Sequence, residues 1–342
     1  MKKIFLPRRI YVGYRISQEA RNFLEKNSKP LVLSGQVTYK IYGQEIEKIT
    51  NAKTMIVESN YLEDAKRIAD EIKGKYDLIF GVGGGKVLDI AKTVAFYSEL
   101  DWVSVPTNCA HDGLASPFAS LKDSEKLISL STKMPIGILA DLAIFPKANK
   151  IFIASGVGDI IAKKTAVYDW KLANIVTGEY MGDYASSLAE MTATIVLDNI
   201  KEIKNLTNQG ISVLIEALIS SGMAMAIAGS SRPASGSEHK FAHALDSIAK
   251  YPSLHGIETG IGAILMGYLQ GQNWKKIKEA LEEVGAPTTL KEINVSFEQG
   301  LEALLMARKI KPERYTILEH IKLDEDLAKK ALIETKVGKD DI

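Results

Sequence analysis

The chain has 342 residues, with 43 Lys plus Arg against 42 Asp plus Glu and a formal net charge of +1 at neutral pH. This balance leaves no global field that would hold nucleic acid or an anionic membrane, so any anion has to be bound locally. The length predicts two domains, and a single cysteine, Cys109, excludes an intramolecular disulfide framework.

The compartment is predicted from what the sequence lacks. The first ten residues contain no apolar run of signal-peptide length, and one cysteine fits a reducing compartment, so we expect a cytoplasmic protein. The most apolar stretch, residues 211–228, contains Glu216. A charge near the middle of a spanning helix costs roughly 2.5–3.5 kcal/mol on insertion scales, which favours a buried core or subunit-interface helix over stable membrane insertion. We also expect a homo-oligomer.

In chain order, the first 150 residues alternate short β-rich runs with helical patterns. The predicted strands are 31–34, 54–58, 77–80 and 102–105, and residues 61–73 form the predicted crossover helix. This alternation is typical of a Rossmann-like α/β domain with a parallel sheet, which we place at residues 1–150. From Lys150 onward the segments become long and rich in Ala, Ile, Leu and Met, which predicts an all-helical domain over 151–342. The boundary falls in a proline-containing polar stretch, 145–150.

A glycine-rich loop follows the third predicted strand. Residues 81–89 read Gly-Val-Gly-Gly-Gly-Lys-Val-Leu-Asp, and an apolar helix follows. Such a loop lets backbone N–H groups approach a coenzyme diphosphate at a helix N-terminus. The standard dinucleotide fingerprint needs glycine where Lys86 stands, and the Walker A pattern needs Ser or Thr after that lysine. The alternative is a tight turn without a ligand.

A second loop follows the next predicted strand. It reads Pro-Thr-Asn-Cys-Ala-His-Asp-Gly over residues 106–113, and Ser116 lies just beyond. Open parallel sheets bind ligands at the carboxyl ends of their strands, so Thr107 and Asn108 can reach the same nucleotide. Asp112 would then face the substrate, although a turn or N-cap aspartate is the alternative.

One carboxylate and three imidazoles indicate a metal site in the second half. Asp159 follows Gly158, and three of the five histidines are His239, His243 and His255. A helix through residues 238–245 would place the first two histidines on one face, where they can share a metal or a ligand. Carboxylate and imidazole ligands suit Zn²⁺ or Fe²⁺ with one position open for substrate. Considered alone, each histidine could be a surface residue or a hydrogen-bonded core residue, and Asp159 could be an N-cap in a glycine-rich turn.

In their order along the chain, these motifs resemble a known superfamily, that of iron-containing alcohol dehydrogenases, glycerol dehydrogenases and dehydroquinate synthases. The motifs that carry the resemblance are Gly83-Gly84-Gly85 with Asp89, Pro106-Thr107, Leu139-Ala140-Asp141, Gly158-Asp159, and His239 with His255-Gly256. The longer strings at 106–113 and 231–239 resemble the sn-glycerol-1-phosphate dehydrogenase branch, whose members set the glycerol stereochemistry of archaeal lipids.

The resemblance implies a role for each site residue. It implies metal ligation by Asp159, His239 and His255, and substrate contacts from Asp112, Asp159 and His243, of which Asp112 and His243 are catalytic. The implied coenzyme residues are Gly83, Gly84, Gly85, Lys86, Val87, Leu88, Asp89, Thr107, Asn108, Cys109, Ala110 and Ser116. Lys163 stands where iron alcohol dehydrogenases carry a further histidine, which favours Zn²⁺ while leaving Fe²⁺ open.

The implied activity is reduction of dihydroxyacetone phosphate by NAD(P)H, with a metal Lewis acid, for archaeal-type membrane phospholipid synthesis. Ser34-Gly35-Gln36 lacks the aspartate that NAD-preferring relatives often place against the ribose, so we expect NADPH to be accepted as well as NADH. By sequence proximity to the ligands, the candidate cations for the substrate phosphate are Lys163, Lys164, Arg232 and Lys240. The alternatives are a polyol dehydrogenase, a dehydroquinate-synthase-like lyase, and a regulatory protein that binds metal and nucleotide without turnover.

Overall fold

A computed structural model describes residues 3–124 and 126–338. The chain divides into two compact units at the boundary between Asn149 and Lys150. All strands in the described residues belong to the first unit, and the second unit is helical. The predicted parallel sheet and the predicted helical second half are therefore confirmed.

A six-stranded parallel sheet forms the first unit, in the order β1-β8-β5-β4-β2-β3. Its strands are β1 (Arg9–Gly13), β2 (Pro30–Ser34), β3 (Lys53–Ile56), β4 (Leu78–Gly83), β5 (Asp101–Pro106) and β8 (Gly137–Asp141). An antiparallel hairpin, β6 (Phe118–Asp123) and β7 (Lys126–Ser131), follows β5. From β2 the chain moves outward to β3, then returns to β4 on the other side of β2. The switch point between β2 and β4 is where open α/β sheets bind ligands.

The structure adds strands that the sequence pattern did not predict. β1 and β8 pair with each other along five residues, and the hairpin is also additional. β1 and β8 are five residues long and lack a long β-branched run, so periodicity alone gives little signal for them. The predicted strand 77–80 extends through Gly83. Gly81 allows this extension against the following helix, because a Cβ at that position would lie 2.6 Å from the Ala91 Cβ.

Helices cover the sheet and build the second unit. In the first unit they are α1 (Gln36–Thr38), α2 (Gln44–Thr50), α3 (Leu62–Ile72) and α4 (Gly85–Tyr97), with a π-helical segment, Tyr39–Gly43, between α1 and α2. In the second unit they are α5 (Lys150–Ile161), α6 (Lys163–Thr177), α7 (Asp183–Asp198), α8 (Ile200–Lys204), α9 (Asn208–Ala228), α10 (Ser237–Ala249), α11 (His255–Leu269), α12 (Trp274–Glu283), α13 (Phe297–Met306), α14 (Ile317–His320) and α15 (Glu325–Glu334). The predicted crossover helix is α3, whose buried side chains are spaced by three or four residues.

Among residues 3–124 and 126–338, one helix, α9, is long and apolar enough to cross a membrane by length and composition alone. Of its most apolar window, 56% is buried, and the helix packs against α7, α8 and α5. Buried core helices of globular proteins can be equally long and apolar, so this helix is weak evidence for a membrane span. Its packing agrees with the predicted core or interface helix.

Candidate coenzyme loop and metal centre

The glycine-rich loop lies at the carboxyl end of β4, beside the end of β2. Gly83 is the last residue of β4, Gly84 is the N-cap of α4 in an extended conformation, and α4 begins at Gly85. The N-terminus of α4 therefore presents backbone N–H groups at the switch point of the sheet, where a diphosphate would be stabilised. Lys86 is exposed, and its Nζ donates to the Glu58 carbonyl oxygen at 2.7 Å.

The second loop explains why two of these positions are glycine. A Cβ on Gly84 would lie 2.3 Å from the Asn108 Nδ2, and a Cβ on Gly85 would lie 2.0 Å from the His111 Nε2. The loop that follows β5 therefore approaches the glycine backbone more closely than any side chain would allow. Both phosphate-binding candidates, the glycine run and the 106–113 loop, form one surface in the first unit.

A buried ion pair holds the second loop against α4. The Lys92 ammonium donates to three carbonyl oxygens, those of Gly113, Ser116 and Phe118, at 2.7, 3.1 and 2.9 Å. It also lies 3.1 Å from Asp89, whose other carboxylate oxygen accepts the Ser120 N–H. The Asp89 side chain thus contacts Lys92 and the backbone of β6. In this arrangement Asp89 would support coenzyme binding by holding the neighbouring backbone, and not by contacting the coenzyme with its carboxylate.

Several other residues implied in coenzyme binding could contact a coenzyme mainly through their backbone atoms. Their side chains are buried at Val87, Leu88, Thr107, Cys109, Ala110 and Ser116. Cys109 is buried, which raises the pKa of its thiol to about 12 and fits a packed thiol. Gly84, Gly85, Lys86 and Asn108 retain exposed surface.

His111 and Asp112 follow in the same loop. The His111 Nδ1 accepts the Gly113 N–H at 3.0 Å, which orients the ring toward Gly85. Sequence reasoning gave this histidine no role, and only its proximity to Asp112 could have drawn attention to it. Asp112 is half-buried and starts a short 3₁₀ segment, Asp112–Leu114. Its implied contact with substrate stays a prediction.

In the second unit, three predicted residues come together. One ligand atom from each of Asp159, His239 and His255 lies within 4.8 Å of the other two. Asp159 is on α5, His239 is in the first turn of α10, and His255 is the first residue of α11. A carboxylate oxygen and two imidazole nitrogens at this spacing fit a divalent cation such as Zn²⁺.

Glycine contacts between α5 and α11 bring two of these residues together. A Cβ on Gly158 would lie 2.1 Å from the Gly256 carbonyl oxygen, and a Cβ on Gly256 would lie 2.0 Å from the Ser155 carbonyl oxygen. The two helix backbones are therefore in direct contact beside Asp159 and His255. The glycine-rich turn considered for Asp159 is wrong, because residues 155–159 are helical and the glycines serve the helix crossing.

His243 lies next to the cluster without belonging to the three-residue set. The predicted helix places it one turn after His239, with ring centroids 6.4 Å apart, and its ring stacks on His255 at 5.8 Å. Its Nδ1 is 3.9 Å from an Asp246 carboxylate oxygen. The side chain is partly exposed, so it can exchange protons with solvent or with a bound molecule.

Two buried charged side chains contact the cluster. The Lys163 Nζ donates to the Asp159 Oδ1 at 2.7 Å, and neither side chain is accessible to solvent. The Glu238 Oε1 is 2.9 Å from the His239 Nδ1. Burial raises the pKa of Glu238, and hydrogen bonds from Gly236 and Thr165 oppose that shift.

The four cations considered for the substrate phosphate all have partners in the second unit. Lys163 pairs with Asp159, Lys164 with Glu190, Arg232 with Glu179, and Lys240 with Glu319. Arg232 and Lys240 are almost fully buried and also donate to backbone carbonyls. Paired in this way, Arg232 and Lys240 hold the unit together, which weakens their case as phosphate ligands.

Known proteins resemble this chain in sequence and in fold. A family model described as iron-containing alcohol dehydrogenase matches residues 17–148. Over its length the chain is 42% identical to the glycerol-1-phosphate dehydrogenase (NAD(P)+) of Pyrococcus horikoshii, covering 95% of this chain and 96% of the relative. It is 44% identical to the enzyme of the same name from Nitrosopumilus maritimus, with 97% and 96% covered. The crystal structure of glycerol dehydrogenase from Schizosaccharomyces pombe has a similar fold, with a TM-score of 0.76 at 17% identity over 98% of this chain and 94% of that one.

Proposed function

Since the chain belongs to the glycerol-1-phosphate dehydrogenase family and is an NAD(P)-dependent oxidoreductase, we propose that it reduces dihydroxyacetone phosphate to sn-glycerol-1-phosphate. The observation that supports this proposal best is the convergence of Asp159, His239 and His255 on one point. A metal Lewis acid can polarise the carbonyl oxygen of a ketone for hydride transfer from NAD(P)H, and the donor set suits such a cation. The product would serve archaeal-type phospholipid synthesis in the cytoplasm.

The residues of the second unit have separable roles in this proposal. A divalent cation bound by Asp159, His239 and His255 would polarise a carbonyl oxygen. Lys163 neutralises part of the charge of Asp159 and keeps its carboxylate oriented. His243 can supply the proton that the reduced oxygen requires. Because its Nδ1 faces Asp246, its Nε2 is the atom that we assign to proton exchange.

We propose Zn²⁺ as the native cation. Three protein ligands with one open position are typical of catalytic zinc sites. The Lys163 ammonium, which stands where iron alcohol dehydrogenases carry another histidine, cannot be a fourth ligand while it is protonated and bonded to Asp159. Fe²⁺ accepts the same donor types and is the alternative.

Substrate choice can be tested by comparing dihydroxyacetone phosphate with dihydroxyacetone. We expect kcat/KM to be at least about tenfold higher for the phosphorylated ketone, because a hydrogen bond to a charged group contributes about 1.5–3 kcal/mol. Comparable efficiencies on both ketones would favour a polyol dehydrogenase. NADH that is not consumed stoichiometrically would favour a lyase, and retention of metal and coenzyme without turnover would favour a regulatory protein.

Coenzyme preference can be tested at Gln36. This residue is exposed and opens α1 directly after β2, at the switch point of the sheet. A carboxylate there would accept the ribose 2′-hydroxyl of NADH and repel the 2′-phosphate of NADPH. We expect Gln36→Asp to shift the ratio of kcat/KM toward NADH by at least about tenfold, since like charges about 4 Å apart near a surface repel by a few kcal/mol.

The matched control for this coenzyme experiment is Gln36→Asn, which shortens the side chain equally and adds no charge. If the Asp and Asn variants shift the preference by the same factor, Gln36 does not face the ribose. The measurement is initial-rate kinetics with both coenzymes at fixed ketone concentration.

We further propose that the protein is a homo-oligomer. Several large apolar side chains near the end of α6 and the start of α7 are exposed, namely Ile175, Val176, Tyr180 and Tyr184. Contiguous exposed apolar surface often marks a protein interaction site. A second copy of the chain is the simplest partner.

A further inference from the structure

The orientation of the His239 ring is defined by two buried acidic side chains. Its Nδ1 lies 2.9 Å from the Glu238 Oε1, and its Nε2 lies 4.0 Å from the Asp159 Oδ1. Nδ1 therefore faces away from the proposed metal site and Nε2 faces toward it. Only a nitrogen without a hydrogen can bind a metal, so the tautomer of this ring decides whether the site can form.

The partners of Glu238 determine that tautomer. The Gly236 N–H points at the Glu238 Oε1 from 2.6 Å, and a backbone N–H can only donate. The Oε1 atom therefore accepts from Gly236, and it has no hydrogen of its own when the carboxylate is ionised or carries its proton on Oε2. In these two states His239 donates its Nδ1 hydrogen to the same oxygen, which leaves the lone pair on Nε2.

The second carboxylate oxygen of Glu238 also has a hydrogen-bond partner. Its Oε2 lies 2.9 Å from the Thr165 hydroxyl, which is 2.8 Å from the Ala162 carbonyl oxygen. The hydroxyl can donate to the carboxylate, or accept from a protonated carboxyl and donate to the carbonyl. Both arrangements leave the contact between Glu238 and His239 unchanged.

The Glu238 side chain is enclosed by tight packing. The side chain is fully buried, and a Cβ on Gly262 would lie 2.8 Å from the Glu238 carbonyl oxygen and 3.2 Å from its Cβ. A Cβ on Gly236 would lie 2.9 Å from the Glu238 Oε2. The α11 backbone and the residue that caps α10 thus enclose this glutamate, and a buried carboxyl group with three polar partners does not serve solubility or surface charge.

We propose that Glu238 is a positioning residue, which holds His239 as the Nδ1–H tautomer and so presents the Nε2 lone pair to the cation. The inference rests on the proposed metal site. Hydrogen bonds from metal-binding histidines to a carboxylate fix the ring and increase its basicity, and their loss lowers metal affinity by about 10–100-fold. The sequence gives no hint of this role, because a glutamate directly before a histidine in a helix is normally expected to point elsewhere.

Zinc affinity of Glu238 variants tests the proposal. Glu238→Met keeps the approximate volume and removes the acceptor, and we expect its zinc Kd, measured by competition with a chromogenic chelator, to rise by about 10–100-fold. Glu238→Gln can still accept from Gly236 and His239 through its Oε1, while its amide donates to Thr165. We therefore expect the Gln variant to recover most of the lost affinity.

Ser237→Ala is the matched control for loss of stability alone. Ser237 is fully buried in the same helix turn, and its hydroxyl donates to the Asp169 Oδ2 at 2.6 Å. We expect this variant to have a lower Tm and an unchanged zinc Kd. Equal zinc affinities for the wild type and Glu238→Met would overturn the proposal, as would equal losses in Glu238→Met and Glu238→Gln.

Direct observation of the ring keeps the test valid even if Glu238→Met does not fold. In metal-free wild-type protein, ¹⁵N imidazole shifts should show His239 with its hydrogen on Nδ1, and the Nε2–H tautomer would contradict the proposal. The metal site and the role of Glu238 can fail separately. If wild-type protein binds no zinc, the proposed metal site fails; if it binds zinc with unchanged affinity in Glu238→Met, only the role of Glu238 fails.

Discussion

Replacing His255 by alanine is expected to abolish stoichiometric zinc binding and to lower kcat/KM for dihydroxyacetone phosphate by about 10³-fold or more. The variant leaves Asp159 and His239 as the only two members of the cluster. A metal Lewis acid contributes several kcal/mol of transition-state stabilisation, and each 1.36 kcal/mol corresponds to a tenfold change in rate. Zinc content per chain and initial-rate kinetics measure the two effects.

Among the three residues we choose His255, because it is the partly exposed one and the other two contact buried charged side chains. Removing Asp159 would leave the fully buried Lys163 ammonium without its carboxylate, and removing His239 would take away one of the three polar partners of the buried Glu238. His320→Ala is the matched control, since His320 is exposed and contacts the Tyr315 hydroxyl. Full zinc occupancy and normal turnover in His255→Ala would rule out the proposed centre.

The second large effect is expected from Gly256→Ala. The added Cβ would lie 2.0 Å from the Ser155 carbonyl oxygen and 2.6 Å from its carbonyl carbon, so the backbones of α5 and α11 have to separate. Overpacking of this kind costs typically about 1–3 kcal/mol of unfolding free energy, and backbone atoms cannot rotate away as a side chain would. Because Asp159 and His255 lie on the two separated helices, zinc affinity should fall together with stability.

Urea unfolding and zinc titration of Gly256→Ala provide the two measurements. Gly182→Ala is the control for a generic Gly-to-Ala change, since the nearest atom to its added Cβ would be the Tyr180 hydroxyl at 3.5 Å. Gly158→Ala should behave like Gly256→Ala, because its Cβ would lie 2.1 Å from the Gly256 carbonyl oxygen. A Gly256→Ala protein as stable as the wild type would show that the helix contact tolerates expansion.

Local patterns predicted much of the first unit. The helix α3 follows from apolar residues at intervals of three and four, and the central strands follow from buried β-rich runs between turn residues. The sequence pattern did not predict β1 and β8, because a five-residue strand is stabilised mainly by pairing with neighbouring strands, which leaves little local signal. Likewise, the helical state of residues 155–159 contradicts the turn that their glycines suggest, because contact with α11 outweighs the low helix propensity of glycine.

For the site, ligand chemistry and spacing drew attention to one carboxylate and three histidines, and the resemblance to a known superfamily selected Asp159, His239 and His255 among them. The sequence by itself determined the balanced charge, the α/β-then-helical order and the family of the chain. Only the tertiary structure decided which atoms are in contact. Gly84 and Gly85 make room for Asn108 and His111. Lys163 pairs with Asp159, and the Glu238 carboxylate contacts the adjacent His239. The physical reason is that these contacts join residues whose separation along the chain carries no periodic signal, and their energies depend on burial that exists only after the helices pack.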